Sequence, residues 1–219
     1  IISGYLSPNR RLDPFLEALS TFEQKSSFHL DIYGQIWDKD YIQKRIQDLE
    51  LSKLVTLHGF VEEDRLDTAL SNSDLAINLR YPTMGEASIS QLRIWSHALP
   101  SLVTQVGWYA ELPENTVSFV RPDYEIEDIH QHLRDFLKNP DRFLEMGKNG
   151  RRLLEERHHP SVYAKAIVDF AELVQKFRPR SVAYQLVERV GEEISSWIKD
   201  EALMPAINRV AEAIYLTSL

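Results

Sequence analysis

Arg80–Pro113, RYPTMGEASISQLRIWSHALPSLVTQVGWYAELP, reads as strand end, glycine-containing loop, amphipathic helix, Leu-Pro break, apolar strand and second glycine. Ser88 stands where an N-cap belongs, and Ile89, Leu92, Trp95 and Leu99 recur at helical spacing. Such a helix packs one face on a sheet and leaves the N–H groups of its first turn without intrahelical acceptors. At the carboxyl edge of a parallel sheet, that turn is where α/β proteins hold phosphate groups, because free amides and the helix dipole both favour an anion.

The same alternation extends outward on both sides. The apolar runs IISGYL, FHLDIYG, LVTLHGF, DLAINL, SLVTQVG and TVSFV alternate with helical patterns at Leu12–Phe22, Tyr41–Leu49, Glu62–Leu70 and Ile89–Ala98, and with the segment marked by Ile126, Ile129, Leu133 and Phe136. Repeated βα units of this length predict an α/β fold, a doubly wound parallel sheet with helices on both faces. Gly34, Gly59 and Gly107 end strands, where glycine permits a tight turn or close approach to a ligand. Past Asn139-Pro140 the pattern is helical only, with Phe143–Arg157 and then Val162–Phe177, the latter carrying Ile167, Phe170, Val174 and Phe177 on one stripe. Arg178-Pro179-Arg180 predicts a break, which divides the chain into a sheet domain, residues 1–178, and a helical hairpin, residues 179–219. The hairpin's arms are marked by Val182, Leu186, Val190, Ile194 and Trp197, then by Leu203, Ile207, Val210 and Ile214, and offer a surface for forming a homo-oligomer.

The totals exclude several functions. With 25 Lys and Arg against 33 Asp and Glu, the net charge of -8 argues against duplex nucleic acid as a partner, since phosphate backbones require a concentrated basic surface. The absence of cysteine removes disulfides, thiolate metal sites and cysteine nucleophiles, and fits a cytoplasmic location. No apolar run has the length of a transmembrane segment. The chain opens on IISGYLSP, without an initiator Met or a basic segment before an apolar one, and is expected to be a piece of a longer protein.

Four segments carry a resemblance running from about Ile2 to about Phe177: GYLSPNRRLDPFLEAL, LDIYGQ with VTLHGFVEEDRLDTALSNSDLAINLR, YPTMGEASISQLRIWSHALPSLVTQVG, and SVYAKAIVDFAELV. Together they resemble the C-terminal, Rossmann-like, nucleotide-sugar-binding half of group 1 glycosyltransferases of the GT-B fold, which include many bacterial hexosyltransferases. The resemblance implies a retaining, metal-independent transfer from a donor such as a UDP- or GDP-hexose. It implies no cofactor, and an N-terminal acceptor-binding domain missing from this chain.

It also implies site residues. Arg10, with Arg11 beside it, is similar in position to the family's cation on the donor diphosphate; from the residues alone, a solvated loop is an equal alternative. Glu86 resembles the first of the family's two glutamates, the one near the transferred sugar, although it falls one residue late, with Gly85 at the expected place. Arg93 stands where the second glutamate, near the ribose, would fall, as in a subset of the family with a Gly-Glu pair and an Arg. Gly34 and Gly59 let the donor approach backbone, and Ala87, Ser88 and Ile89 begin the phosphate-facing helix. Read without the resemblance, Glu86 is a capping acid, Arg93 is solvated or reaches the pocket, and Ser88 caps its helix. His58, the four Trp and the His158-His159 pair read as structural, with Trp108 a candidate for lining the cleft. The competing function is a degenerate transferase-like module kept as a scaffold or interaction domain. A non-hydrolysing nucleotide-sugar epimerase ranks below both.

Overall fold

The computed structural model describes residues 1–197 together with 205, 208, 209, 212 and 213. Among these residues six strands form two parallel sheets. β1 (Ile2–Ser3), β2 (Leu30–Tyr33) and β3 (Val55–Gly59) pair in that order, and so do β4 (Ala76–Asn78), β5 (Ser101–Thr104) and β6 (Ser118–Val120). The registers set Ile2 beside Ile32, Ile32 beside Leu57, Ile77 beside Leu102 and Val103 beside Phe119. The two sheets meet where the Ile77 N–H donates to the Ile1 carbonyl across 2.9 Å, so the strands run 3-2-1-4-5-6. Around them stand α1 (Leu12–Thr21), α2 (Lys39–Asp48), α3 (Glu63–Ser71), α4 (Ile89–Ser96), α5 (Glu125–Lys138) and α6 (Pro140–Arg157).

Side chains alternate along each strand, which sorts the core into two faces. Ile2, Ile32, Ile77 and Leu102 pack with Phe15 and Leu16 of α1, Ile42 of α2 and Ile129 of α5. Tyr33 and Ala76 point the other way and pack with Leu70 of α3 and Ile94 of α4. Each such aliphatic side chain, fully buried, contributes roughly 1.5–3 kcal/mol. A third cluster closes the far side of α4, where Trp95 is fully buried among Val103, Tyr109 and Val117 and donates its indole N–H to the Thr116 carbonyl at 3.2 Å. Trp108 packs here, edge-on to Tyr109 and 6.2 Å from Trp95 between ring centres.

The chain divides into two compact units, residues 1–159 and 160–219. α7 (Pro160–Trp197) opens the second and runs through Arg178-Pro179-Arg180, so the expected break there, and the division at 178, are not what the backbone does. Proline within a helix removes one hydrogen bond and orphans the carbonyl four residues earlier. Here that residue, Gln175, is exposed, and water can take the freed carbonyl. Tyr163, Ile167, Phe170, Val174 and Phe177 are exposed along this helix. Leu203, Ile207, Val210 and Ile214, the second arm of the expected hairpin, lie outside the described residues.

Candidate functional site

β1 and β4 are neighbours whose helices, α1 and α4, pack on opposite faces of the sheet. The chain therefore leaves the two strand ends in opposite directions, and a crevice opens between them. Arg10 enters it from the loop after β1. Its Nη2 donates to Asn78 Oδ1 at 2.9 Å, at the end of β4, and to the Ser3 carbonyl at 3.2 Å, at the end of β1. Asn78 donates in turn to Gln91 Oε1 at 2.9 Å and Tyr109 Oη at 3.3 Å, and Gln91 Nε2 to Ser101 Oγ at 2.8 Å. This buried network ties the guanidinium to α4 and β5.

Arg10 is only 7% exposed, yet its Nε–H has no partner among the described residues. Burial pushes its guanidinium below the ordinary range, and the nearby Arg80 pushes it further; Tyr109 and Glu86 oppose the shift. Arg80 follows β4, its backbone N–H donating to Thr104 Oγ1 at 2.9 Å. Its own Nε–H is likewise buried without a partner among the described residues. Two neighbouring cations with orphaned donors are costly unless something negative joins them.

The helix start lies alongside. Ser88, buried and extended, caps α4 by accepting from the Gln91 N–H at 3.2 Å. Among the described residues, none accepts from the amides of Ile89 or Ser90. Gly4 measures the gap: a methyl group there would sit 3.9 Å from Arg10 Nη2 and 3.8 Å from Ser90 Oγ. Two guanidiniums and a helix N-terminus thus converge on one crevice, an arrangement suited to an anion with more than one negative charge.

Glu86 occupies the loop above. Its carboxylate pairs with Arg80 Nη1 and accepts from the Met84 N–H at 3.0 Å and Thr83 Oγ1 at 3.4 Å. Its own backbone amide, then Arg80, hold the carboxyl below the usual range, so it is ionised at neutral pH. Gly107, at φ +52, supports this loop from below. A side chain there would put Cβ 2.9 Å from Thr83 Cγ2 and 3.4 Å from Gly85 Cα.

Next to Gly4 and Ser90 opens a cavity of about 370 Å³, lined by Tyr5, Tyr33, Phe60, Glu63, Ile89 and Arg93 among others. Phe60 and Ile89 are largely exposed in it. Gly34 also lines it and is required for packing, because a Cβ at this φ of +114 would overlap the Gly4 carbonyl. The crevice and the cavity together could take a charged group with an aromatic or sugar moiety attached. Among the described residues, no group of three or more His, Asp or Glu is arranged to hold a metal ion. No helix among them is long and apolar enough to cross a membrane.

The sequence profile of the glycosyl transferases group 1 family matches residues 1–153. The chain belongs to the group 1 glycosyl transferases. Solved structures agree on the fold. Alr3699/HepE of Anabaena, determined in complex with UDP, aligns at a TM-score of 0.68 and 14% identity, covering 78% of this chain and 48% of that one. WaaG, a glycosyltransferase involved in lipopolysaccharide biosynthesis, aligns at 0.64 and 20% identity, covering 75% and 45%. The C-terminal domain of the group 1 protein LpcC from Francisella tularensis aligns at 0.63 and 15% identity, covering 73% and 86%. This chain therefore spans about half the length of the two full-length transferases. No curated protein matches the sequence.

Within this family member, the structure brings Arg10, Gly4, Ser88, Ile89 and Ser90 to one crevice and sets Gly85, Glu86 and Ala87 in the exposed loop above it. Arg11 and Arg93 are otherwise engaged. Arg11, at φ 55, turns away from Arg10 and forms a two-pronged pair with Glu125, at 2.6 Å and 3.1 Å. Arg93 lines the cavity, but its guanidinium is held by Asp67 and Glu63 of α3. Gly59 borders open space, and its carbonyl accepts from the Gly34 N–H at 2.7 Å. His58 bonds Asp31 at 2.6 Å and stacks on Tyr33, a structural role. Arg80, Asn78, Gln91 and Tyr109 are the residues that sequence reasoning missed. The signal available for Asn78 was a lone amide inside the apolar run DLAINL, since a buried polar residue in a strand demands partners.

Proposed function

We propose that this chain is the donor-binding half of a retaining glycosyltransferase that needs no metal ion and moves a hexose from a nucleotide diphosphate sugar to an acceptor held by a separate N-terminal domain. The observation that carries the reading is the buried guanidinium of Arg10 with the half-buried one of Arg80, each with a buried Nε–H that has no partner among the described residues, beside the open first turn of α4. A pyrophosphate carries about two negative charges and gains more as the glycosidic C–O bond breaks, so donors fixed in advance around it stabilise the transition state. The Asn78–Gln91–Ser101 network holds Arg10 in advance of binding. Charge already resident in the crevice does the work otherwise given to a divalent cation.

Glu86 takes the sugar-facing role. When phosphate oxygens replace it on Arg80, its carboxylate is free to accept from hydroxyls of the transferred hexose. The nucleoside occupies the adjoining cavity of about 370 Å³. HepE was determined in complex with UDP, which makes UDP the first nucleotide to try. Isothermal titration of the full chain with UDP, GDP and their hexose conjugates, with EDTA present throughout, tests the reading. The expected result is saturable binding at or below millimolar concentration; no heat and no thermal shift with any of the four would refute it.

A further inference from the structure

Arg10 differs from four other arginines of its unit in what holds it. Arg11, Arg45, Arg93 and Arg121 stand 2.6 to 2.8 Å from a carboxylate, of Glu125, Asp13, Asp67 and Asp128 respectively, and all four keep some exposure. Arg10 is the one arginine buried among the described residues, and both of its acceptors there are neutral: Asn78 Oδ1 at 2.9 Å and the Ser3 carbonyl at 3.2 Å. Burial first, then Arg80, push its guanidinium below the ordinary range, and Glu86 pulls less strongly than either pushes. Asn78 is itself 1% exposed, and its amide has one usable orientation, because Nδ2 donates to Gln91 Oε1 at 2.9 Å and to Tyr109 Oη at 3.3 Å. That turns Oδ1 to Arg10. A carboxylate has the same shape as this amide, so the position could hold the guanidinium with a counter-ion and holds it with a dipole instead.

We propose that Asn78 keeps the Arg10 charge available for the phosphates: it anchors the guanidinium through a neutral acceptor, where a carboxylate would anchor it equally well and cancel it. The proposal rests on the nucleotide-sugar reading above and deepens it. At 1% exposure Asn78 does not reach a ligand; it is a positioning residue that acts through Arg10. The physical reason is competition. A guanidinium already paired with a carboxylate shares its donors and its field between two anions, so an arriving phosphate gains little, whereas one bonded to amide and carbonyl dipoles keeps a full positive charge. The Arg10 Nε–H, without a partner among the described residues, is the donor left over for that anion. Burial strengthens the attraction, since the water that would screen it is excluded. The empty protein carries an uncompensated buried cation in consequence, a cost that Asn78→Asp would relieve.

The test compares the full chain as wild type, Asn78→Asp and Asn78→Leu, by thermal melting without ligand and by isothermal titration with UDP and with inorganic pyrophosphate at a temperature where all three are folded. Asn78→Asp keeps the shape and gives Arg10 a counter-ion; the Gln91 amide can turn over to donate to the new carboxylate while Ser101 Oγ donates to Gln91. It is expected to melt within about 3 °C of the wild type or above it, and to bind both anions about 10- to 100-fold more weakly. Asn78→Leu removes the acceptor and strands Gln91 and Tyr109, so it should melt lower, yet it leaves the charge intact and should bind both anions at least about tenfold more tightly than Asn78→Asp does. Affinity and stability thus rank the two variants in opposite orders, which a merely structural role for Asn78 does not produce. The proposal is overturned by an Asn78→Asp protein that binds within about threefold of the wild type, by one that melts far below it, since the new ion pair would then not have formed, or by an Asn78→Leu protein that binds no better than Asn78→Asp. Each of these leaves donor binding intact. A wild type that binds neither anion overturns the donor reading itself and this proposal with it.

Discussion

Replacing Arg10 with methionine separates what this side chain does for the fold from what it does for a ligand. Among the described residues the guanidinium has two acceptors, Asn78 Oδ1 at 2.9 Å and the Ser3 carbonyl at 3.2 Å, and an Nε–H without a partner, at 7% exposure and near Arg80. Arg10→Met keeps the length of the side chain and loses those two bonds, at about 1–2 kcal/mol each when the acceptor left behind is counted. Against this stands the removal of a buried charge, whose desolvation costs several kcal/mol and whose repulsion from Arg80 disappears. The balance is near zero or favours the variant, so its melting temperature in the absence of ligand should fall by no more than about 3 °C, or rise, on the scale of about 2–4 °C per kcal/mol for a chain of this size. Nucleotide diphosphate binding should weaken by about 10- to 100-fold, the worth of one charge-assisted contact of about 1.5–3 kcal/mol. Differential scanning fluorimetry of wild type and variant, with and without UDP, reads both quantities together. A variant that melts far lower while binding UDP as tightly as the wild type would show that Arg10 is a structural strut, and the argument from its orphaned Nε–H would fail.

The neighbouring arginine should behave in the opposite way. Arg11→Ala strands Glu125, which is 7% exposed, and is expected to cost about 2 kcal/mol after allowance for the partial exposure of Arg11, with nucleotide affinity changed less than twofold; a large loss of affinity without loss of stability in urea unfolding would overturn this assignment. Gly107→Ala forces a left-handed φ on alanine and drives Cβ against Thr83 Cγ2, so it should cost about 1–2 kcal/mol and weaken donor binding through the Glu86 loop. The double variant with Thr83→Ser, which removes the obstructing methyl, should recover part of the binding; no recovery would mean the steric account is incorrect. Asp128 accepts from Arg121 Nη2 at 2.7 Å, Nε at 2.9 Å and the backbone N–H at 2.8 Å, and the Arg121 guanidinium first of all holds its carboxyl below the usual range. A depressed carboxyl contributes stability that is complete above its unfolded pKa, about 3.9, and is lost as pH falls through the lower folded value. Urea midpoints measured from pH 6 to pH 3 should therefore fall less steeply in Asp128→Asn than in the wild type, and parallel curves would refute the linkage.

The order and type of the elements were readable from residue patterns because both depend on local periodicity. A strand buried on both faces reads as a short apolar run, and a surface helix reads as an apolar stripe, whatever lies elsewhere in the chain. FHLDIYG, LVTLHGF, DLAINL and SLVTQVG became β2 to β5, and Ser88 became the cap of α4; of the expected stripe only Trp95 is buried within the helix, beside Gln91 and Ile94, while Ile89 is exposed. The opening of that helix beside a strand end, where we propose that an anion binds, follows from the same local signals.

Which charged residues serve that site was decided only by tertiary structure. Arg10 and Arg11 are adjacent and chemically identical, yet the left-handed turn at Arg11 sends one guanidinium into the crevice and the other to Glu125, 114 residues away in sequence. Arg93 is claimed by Glu63 and Asp67 on a different helix, while Arg80, just after β4, stands close enough to Arg10 for its charge to press that guanidinium down. Pro179, locally a breaker, sits within α7, where Gln175, four residues earlier, is exposed. Hydrophobic pattern is written in neighbours along the chain and is sufficient for fold class. Pairing of charges, and the cost of leaving one unpaired, depends on distances of a few ångströms between segments that sequence order keeps far apart.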